Sequence, residues 1–97
     1  MMVKKKLSKG AYEKHVKAAG ESEKVSLSES TEWSGCFKGG YLGCSPAFFL
    51  NSESEYYFIC CDKPEEGKKL KEELESMNSK SDIEKLLSSL SDLEDPK

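Results

Sequence analysis

The sequence predicts an α+β domain with one N-terminal helix, a four-stranded antiparallel β-meander and two C-terminal helices (α-β-β-β-β-α-α). Three observations predict this class. Apolar residues recur with helical spacing before residue 20 and after residue 62, and they alternate with polar residues between residues 25 and 61. Turns rich in glycine or serine divide that middle stretch. A chain of 97 residues has room for one such domain with a single modest core.

The first helix is predicted from Ser8 to Ala19, with Gly20 ending it. One side of this helix carries the stripe Tyr12, His15, Val16 and Ala19. The preceding residues 1–7 contain three consecutive lysines and are expected to form a flexible basic N-terminus. Residues 8–94 are then the single α+β domain, and residues 95–97 are a C-terminal tail.

Four strands are predicted next, from changes in hydrophobic period and from turn residues. Val25 and Leu27 lie in the first strand, and Trp33 to Phe37 form the second. Gly39-Gly40 is the expected hairpin turn to a third strand from Leu42 to Leu50, in which Pro46 indicates an edge or a bulge. A turn at Ser52-Glu53 leads to the fourth strand, Tyr56 to Cys61.

Two capping boxes predict the C-terminal helices. Asp62 with Glu65 opens a helix that ends near Asn78, and Ser81 with Glu84 opens a second helix that ends at Asp95-Pro96. The second helix has the clearest apolar stripe of the chain, Ile83, Leu86, Leu87, Leu90 and Leu93. We expect both helices to cover the more apolar face of the sheet within one chain; the alternative is that the leucine stripe contacts another chain.

Two-residue turns at both hairpins would determine which side chains share a face. The first turn would pair Gly35 with Cys44, and the second would pair Cys44 with Cys61. Successive strand residues point to opposite faces of the sheet. Cys60 and Cys61 should therefore lie on different faces, with Cys60 on the same face as Cys36. With this register, mild oxidation would link Cys44 to Cys61.

The four cysteines are predicted to be reduced structural thiols. Residues 1–10 lack the apolar segment of a signal peptide, which favours a cytoplasmic location. Cys36, Cys44, Cys60 and Cys61 are not spaced as the close pairs of tetrahedral zinc sites. We therefore predict no metal site and no cofactor, although a bulge at Pro46 would change the register and reopen this question.

The candidate binding residues lie on the second, more polar face of the predicted sheet. They are four aromatic residues, Tyr41, Phe49, Tyr56 and Phe58, and together they give more aromatic surface than a solvated sheet face needs. Two interpretations are open. Either this aromatic face binds a partner, or the first helix covers it with Tyr12, Val16 and Ala19.

Several functional classes are disfavoured by composition. All fifteen basic residues are lysine, and a chain without arginine lacks the planar fork that reads guanine edges, which argues against specific nucleic-acid binding. No apolar stretch approaches the length of a membrane span. His15 is the one histidine, and no sharp turn presents a cysteine as its nucleophilic partner, so no catalytic residues are predicted.

The sequence favours a small non-catalytic protein-binding or adaptor module that uses the aromatic face or the C-terminal helix. Its partner would be another protein, and an inhibitor of a host factor from a phage or virus is one version of this hypothesis. The alternative is a thiol-based metal-binding or redox protein. The sequence identifies neither the partner nor the source.

Overall fold

The computed structural model describes residues 2–93, and they form a mixed six-stranded sheet with helices on both faces. A single 3₁₀ turn, Glu29–Thr31, precedes β3. The bounds of the helices and strands, in chain order, are β1 Val3–Leu7, α1 Lys9–Ala19, β2 Glu23–Val25, β3 Ser34–Lys38, β4 Ala47–Asn51, β5 Tyr56–Cys60, α2 Pro64–Ser76, α3 Lys80–Ser89 and β6 Ser91–Asp92.

The strand order in the sheet is β2-β3-β4-β5-β1-β6. The α+β class is confirmed, and the four strands β2 to β5 are antiparallel neighbours in sequence order. The predicted topology is nevertheless incomplete, because β1 pairs antiparallel with β5 and β6 pairs parallel with β1. The sheet therefore has two more strands than the predicted meander, contributed by segments from opposite ends of the described chain.

Strand β1 replaces the flexible basic segment that the sequence predicts for residues 1–7. Its five residues pair along their whole length with β5, from Val3 opposite Cys60 to Leu7 opposite Tyr56. Lys4 is held on one face, where its Nζ donates to the carbonyl oxygen of Leu90 at 2.7 Å. A lysine can lay its apolar stem along a sheet while its ammonium finds a carbonyl, so the lysine run is compatible with a strand.

Both hairpin loops are longer than predicted. The β3–β4 loop runs over residues 39–46, so Phe37 lies opposite Phe48 and not opposite Leu42. The β4–β5 loop runs over residues 52–55, so Leu50 lies opposite Tyr57 and not opposite Glu55. Each partner moves by an even number of residues, which leaves the strand residues on their predicted faces.

The larger core lies between one sheet face and helices α2 and α3. As expected, the C-terminal leucine stripe packs within the chain: Leu87 is buried, and Leu86 and Leu90 are partly buried against this core. Leu93 lies beyond α3 and is exposed. The buried members of this core are Val25, Trp33, Phe48, Leu50, Ile59, Cys61, Leu70, Leu74, Ile83 and Leu87.

The helix boundaries follow from their caps. Ser8, the predicted first residue of α1, is its N-cap and accepts a 3.2 Å hydrogen bond from the Ala11 amide. Gly20 ends the helix as predicted, with a φ of 73°. The predicted starts of the other two helices are wrong by one to two residues, since their N-caps are Lys63 and Ser79. The predicted end of the last helix at Asp95-Pro96 is wrong, because α3 ends at Ser89 and residues 91–92 form the strand β6.

Candidate functional site

Helix α1 covers the second face of the sheet, which is the second of the two interpretations left open by the sequence. Tyr12, Val16 and Ala19 of this helix pack against a smaller core that includes Phe49 and Phe58. Phe49 is fully buried and Phe58 is 6% exposed. These two of the four candidate binding residues are therefore beneath the helix, where a partner would not reach them without displacing α1.

Tyr41 and Tyr56, the other two candidate residues, are partly exposed. Tyr56 packs against Tyr12, with ring centroids 5.2 Å apart, and the Tyr12 hydroxyl donates to Asn51 Oδ1 at 3.2 Å. Burial, with smaller contributions from Cys36 and Tyr56, raises the pKa of Tyr12 above its ordinary value. The Tyr12 hydroxyl thus stays protonated and fixes α1 to the sheet.

Tyr41 is held from the α1 side by His15. The Nδ1 atom of His15 lies 2.8 Å from the Tyr41 hydroxyl, and the imidazole stacks on Phe58 with ring centroids 5.9 Å apart. The Tyr41 ring also meets Phe49 edge-on at 5.6 Å. The one histidine of the chain therefore positions a tyrosine at the base of the β3–β4 loop.

Tyr41 and Cys44 are the ends of a tight turn within the β3–β4 loop. The Tyr41 amide donates to the Cys44 carbonyl at 3.1 Å, and the Cys44 amide donates back to the Tyr41 carbonyl at 2.9 Å. The two central residues, Leu42 and Gly43, have φ values of 49° and 78°. Positive φ at both central positions is the pattern of type I′ hairpin turns, which normally contain asparagine or glycine.

Leu42 occupies a backbone conformation that leucine rarely adopts, and its side chain points into solvent. It is 69% exposed, and Leu93, at 36%, is the other exposed large apolar residue within residues 2–93. A left-handed conformation costs a non-glycine residue roughly 1–2 kcal/mol because Cβ approaches the following carbonyl. Strain of this kind is concentrated at functional sites, which draws attention to the tip of the loop.

A disulfide fixes the other end of the turn. Cys44 is bonded to Cys60 of β5, with their Cα atoms 5.2 Å apart. Two backbone hydrogen bonds also attach the end of the loop to residue 61. The Ser45 amide donates to the Cys61 carbonyl at 2.8 Å, and the Cys61 amide donates to the Pro46 carbonyl at 3.0 Å. Tyr41 and Cys44 are thus both anchored, so the turn between them is held on each side.

The predicted cysteine chemistry is wrong on two points. Cys44 is not opposite Cys61, because residue 44 lies in the loop and packs with the second face, while Cys61 lies in the larger core. Nor are all four cysteines reduced thiols, since only Cys36 and Cys61 are free. Cys60 and Cys61 do lie on opposite sides of the sheet, as the alternation of strand residues predicts.

Of the two free thiols, Cys61 is poorly placed for reactions. Cys61 is completely buried, and burial together with Glu66 and Asp62 raises the pKa of its thiol to about 12. Since the thiolate is the nucleophile and the metal ligand, Cys61 is inert at neutral pH. Cys36 is partly buried on the second face beside α1.

Within residues 2–93, no group of three or more histidine, cysteine or acidic side chains is arranged to hold a metal ion. Across the same residues, no helix combines the length and the apolar character needed to cross a bilayer.

The chain matches no protein-family model, no curated protein and no solved structure.

Sequence reasoning did not find the strained leucine. It placed the turn at Gly39-Gly40, because a glycine pair satisfies positive φ at no steric cost. The signal for the observed turn is Gly43 alone, since Leu42 disfavours the conformation that it adopts. The turn depends on its two anchors, and neither the disulfide nor the His15–Tyr41 contact could be read from local sequence.

Proposed function

We propose that this chain is a small non-catalytic protein-binding module that contacts another protein through the tip of the β3–β4 loop. The observation that carries this proposal is Leu42, an exposed apolar side chain on a strained turn that is anchored at both ends. An inhibitor of a host factor, made by a phage or virus, remains one version of this proposal.

The two surfaces that the sequence suggests for a partner are largely occupied within the chain. Helix α1 covers Phe49 and Phe58, and the leucine stripe of α3 packs on the larger core. Of the four predicted binding residues, Tyr41 still has a part in this proposal, because it forms one anchor of the turn. We therefore transfer the proposed contact from the sheet face to the loop beside it.

The fixed turn favours binding in a simple physical way. A flexible loop loses conformational entropy when it docks, and a loop that is already rigid avoids most of that cost. Complete burial of an exposed leucine contributes about 1.5–3 kcal/mol. Leu42 presented on a fixed turn can supply this energy without ordering the backbone, which explains why a strained residue would be retained there.

The test uses Leu42→Asn, with Leu93→Asn as the matched control. Asparagine accepts positive φ more readily than leucine, so Leu42→Asn removes the apolar anchor while preserving or slightly raising stability. Leu93 is the other exposed leucine, and it lies outside the loop. Tagged wild type and both variants are used to capture proteins from cells of the source, with quantification by mass spectrometry.

We expect a protein that is enriched by wild type and Leu93→Asn and is lost, by about tenfold or more, with Leu42→Asn. Equal capture by all three chains would contradict the proposal. The experiment is run with and without reductant, because a cytoplasmic location, which the sequence favours, would expose the disulfide to cellular thiols that reduce it. Oxidised chain should bind more tightly than reduced chain.

A thiol-based redox protein is the second candidate, and the Cys44–Cys60 disulfide is the observation in its favour. A redox carrier needs a reactive thiolate, however, and Cys44 is 3% exposed while Cys61 has a raised pKa. Insulin reduction by dithiothreitol, with and without the chain, distinguishes the two. Catalysis that Cys60→Ser abolishes would favour the redox candidate over the binding module.

A further inference from the structure

A second feature of the same loop is a cavity of about 270 Å³ between the β3–β4 loop and α2. Its walls are predominantly apolar, and they are contributed by Phe37 at the end of β3, by Pro46 at the end of the loop and by Pro64 at the start of α2. Pro46 is buried and Phe37 is partly buried. The cavity therefore lies beside the segment that presents Leu42, but it uses different residues.

Gly67 lets Pro46 of the loop pack directly on the backbone of α2. A Cβ atom at this position would clash with the ring of Pro46. Glycine is a poorer helix former than alanine, but at this position it leaves room for the proline ring. The β3–β4 loop therefore approaches the backbone of α2 closely at Gly67, and this contact forms one wall of the cavity.

Two lysines of α2, Lys68 and Lys71, also line the cavity. Together with Pro64 and Gly67 they have the spacing of one helix face. Lys71 contacts Glu75 at 3.4 Å, while Lys68 is exposed and has no ion-pair partner among residues 2–93. An apolar cavity bordered by an unpaired ammonium is complementary to a ligand with an apolar body and a carboxylate.

We infer that this cavity binds an apolar side chain of the partner protein together with an adjacent carboxylate, which the ammonium group of Lys68 recognises. The partner is the one contacted by Leu42, so this assignment rests on the proposed function. One loop joins the two contacts, because residues 39, 45 and 46 line the cavity and residue 42 forms the tip. A partner segment that crosses the loop would meet both.

The first experiment tests the chemistry of the cavity without any partner. The probe is 4-methylpentanoate, which combines a branched apolar chain with a carboxylate, and 4-methylpentan-1-ol is its neutral counterpart. Amide NMR spectra of the oxidised chain are recorded during titration, with Gly39 and Gly67 as reporters from the two sides of the cavity. We expect saturable shifts of both amides by the carboxylate, with a dissociation constant on the order of 1–10 mM, and at least fivefold weaker binding of the alcohol.

Lys68→Gln should weaken binding of the carboxylate about fivefold, and Lys69→Gln is the matched control. Lys69 is an exposed lysine of the same helix that does not line the cavity. Leu42→Asn should bind the probe like wild type, so failure of the loop proposal and failure of the cavity chemistry give different results. Equal binding of acid and alcohol, or equal affinities of Lys68→Gln and Lys69→Gln, would overturn the assignment.

The second experiment tests the partner. In the capture experiment described above, Lys68→Gln should capture less of the protein that is lost with Leu42→Asn. Lys69→Gln should capture as much of it as wild type does. If the probe binds the cavity as expected but Lys68→Gln captures the partner as well as wild type does, the cavity is a small-carboxylate site and the inference about the partner is wrong.

Discussion

Cys44 is joined to Cys60 and not to its neighbour Cys61. The bond ties a loop residue to the second face of β5, while Cys61 faces the larger core from the other side of the sheet. Of two adjacent cysteines, one therefore fastens the β3–β4 loop, and the other fills a position among buried apolar side chains.

The first prediction concerns this disulfide, which spans a sequence separation of 16 residues. Replacing Cys44 and Cys60 together by alanine should lower the free energy of unfolding by about 3 kcal/mol, because the unfolded chain regains loop entropy. Urea unfolding measures the change. Cys36→Ala, which retains the bond, is the control and should lose much less. Equal losses in the two variants would show that the bond contributes little.

The second prediction compares two helical glycines. Gly67→Ala should lower the unfolding free energy by about 1–3 kcal/mol, because the added methyl group meets the ring of Pro46. Gly10→Ala in α1 should raise it by about 0.4–1 kcal/mol, since nothing lies within 4 Å of the added Cβ. Thermal or urea unfolding measures both. A gain at both positions would mean that the loop and α2 are not in close contact.

The third prediction concerns the leucine stripe of α3. Leu87→Ala should cost about 2–5 kcal/mol, because it leaves a cavity in the larger core. Lys85→Ala, an exposed change in the same helix, should stay within about 0.5 kcal/mol of wild type. Sedimentation of wild type and Leu87→Ala should give the same mass. A dimer that dissociates in Leu87→Ala with unchanged stability would contradict the intrachain core.

The fourth prediction concerns pH. Glu75 accepts a hydrogen bond from the Ser26 amide at 2.9 Å and one from Lys71, and these contacts lower the pKa of its carboxyl below 4.5. A lowered pKa contributes stability above the unfolded value of 4.5, and this contribution is lost as pH falls through the folded value.

Unfolding free energies at several pH values test this expectation. Glu75→Gln should lose stability relative to wild type at pH 7, and the difference should shrink below pH 4.5. Glu72→Gln, on the exposed part of the same helix, is the control and should track wild type throughout. A difference that is independent of pH would show that the carboxylate charge plays no part.

The pattern of side chains predicted the faces of the sheet better than its connections. Alternation placed Phe48 and Ile59 on one face and Phe49 and Phe58 on the other. These placements are correct although both loop lengths were predicted wrongly, because each change in strand register is an even number of residues. The face of Cys44 was not predicted by alternation, because this residue lies outside a strand. Alternation says nothing about a loop residue, whose position depends on bonds to distant parts of the chain.

The first strand could not be predicted for a different reason. Three lysines between Val3 and Leu7 are typical of an exposed, charged segment. The local sequence pattern also does not reveal a strand whose pairing partners are residues 56–60 and 91–92. The acceptor of Lys4, the Leu90 carbonyl, is separated from it by 86 residues. Contacts at such separation come from tertiary packing, which has no local signature.

The position of β1 between β5 and β6 has a consequence for biosynthesis. During translation, β1 leaves the ribosome before any of its partner strands exist, and it must wait unpaired until β5 emerges. Its second partner, β6, follows only after α3, so the sheet cannot be completed until about residue 92 has been released. Pairing of β1 along both of its edges is therefore expected to be a late step of folding, which follows the release of β5 and β6.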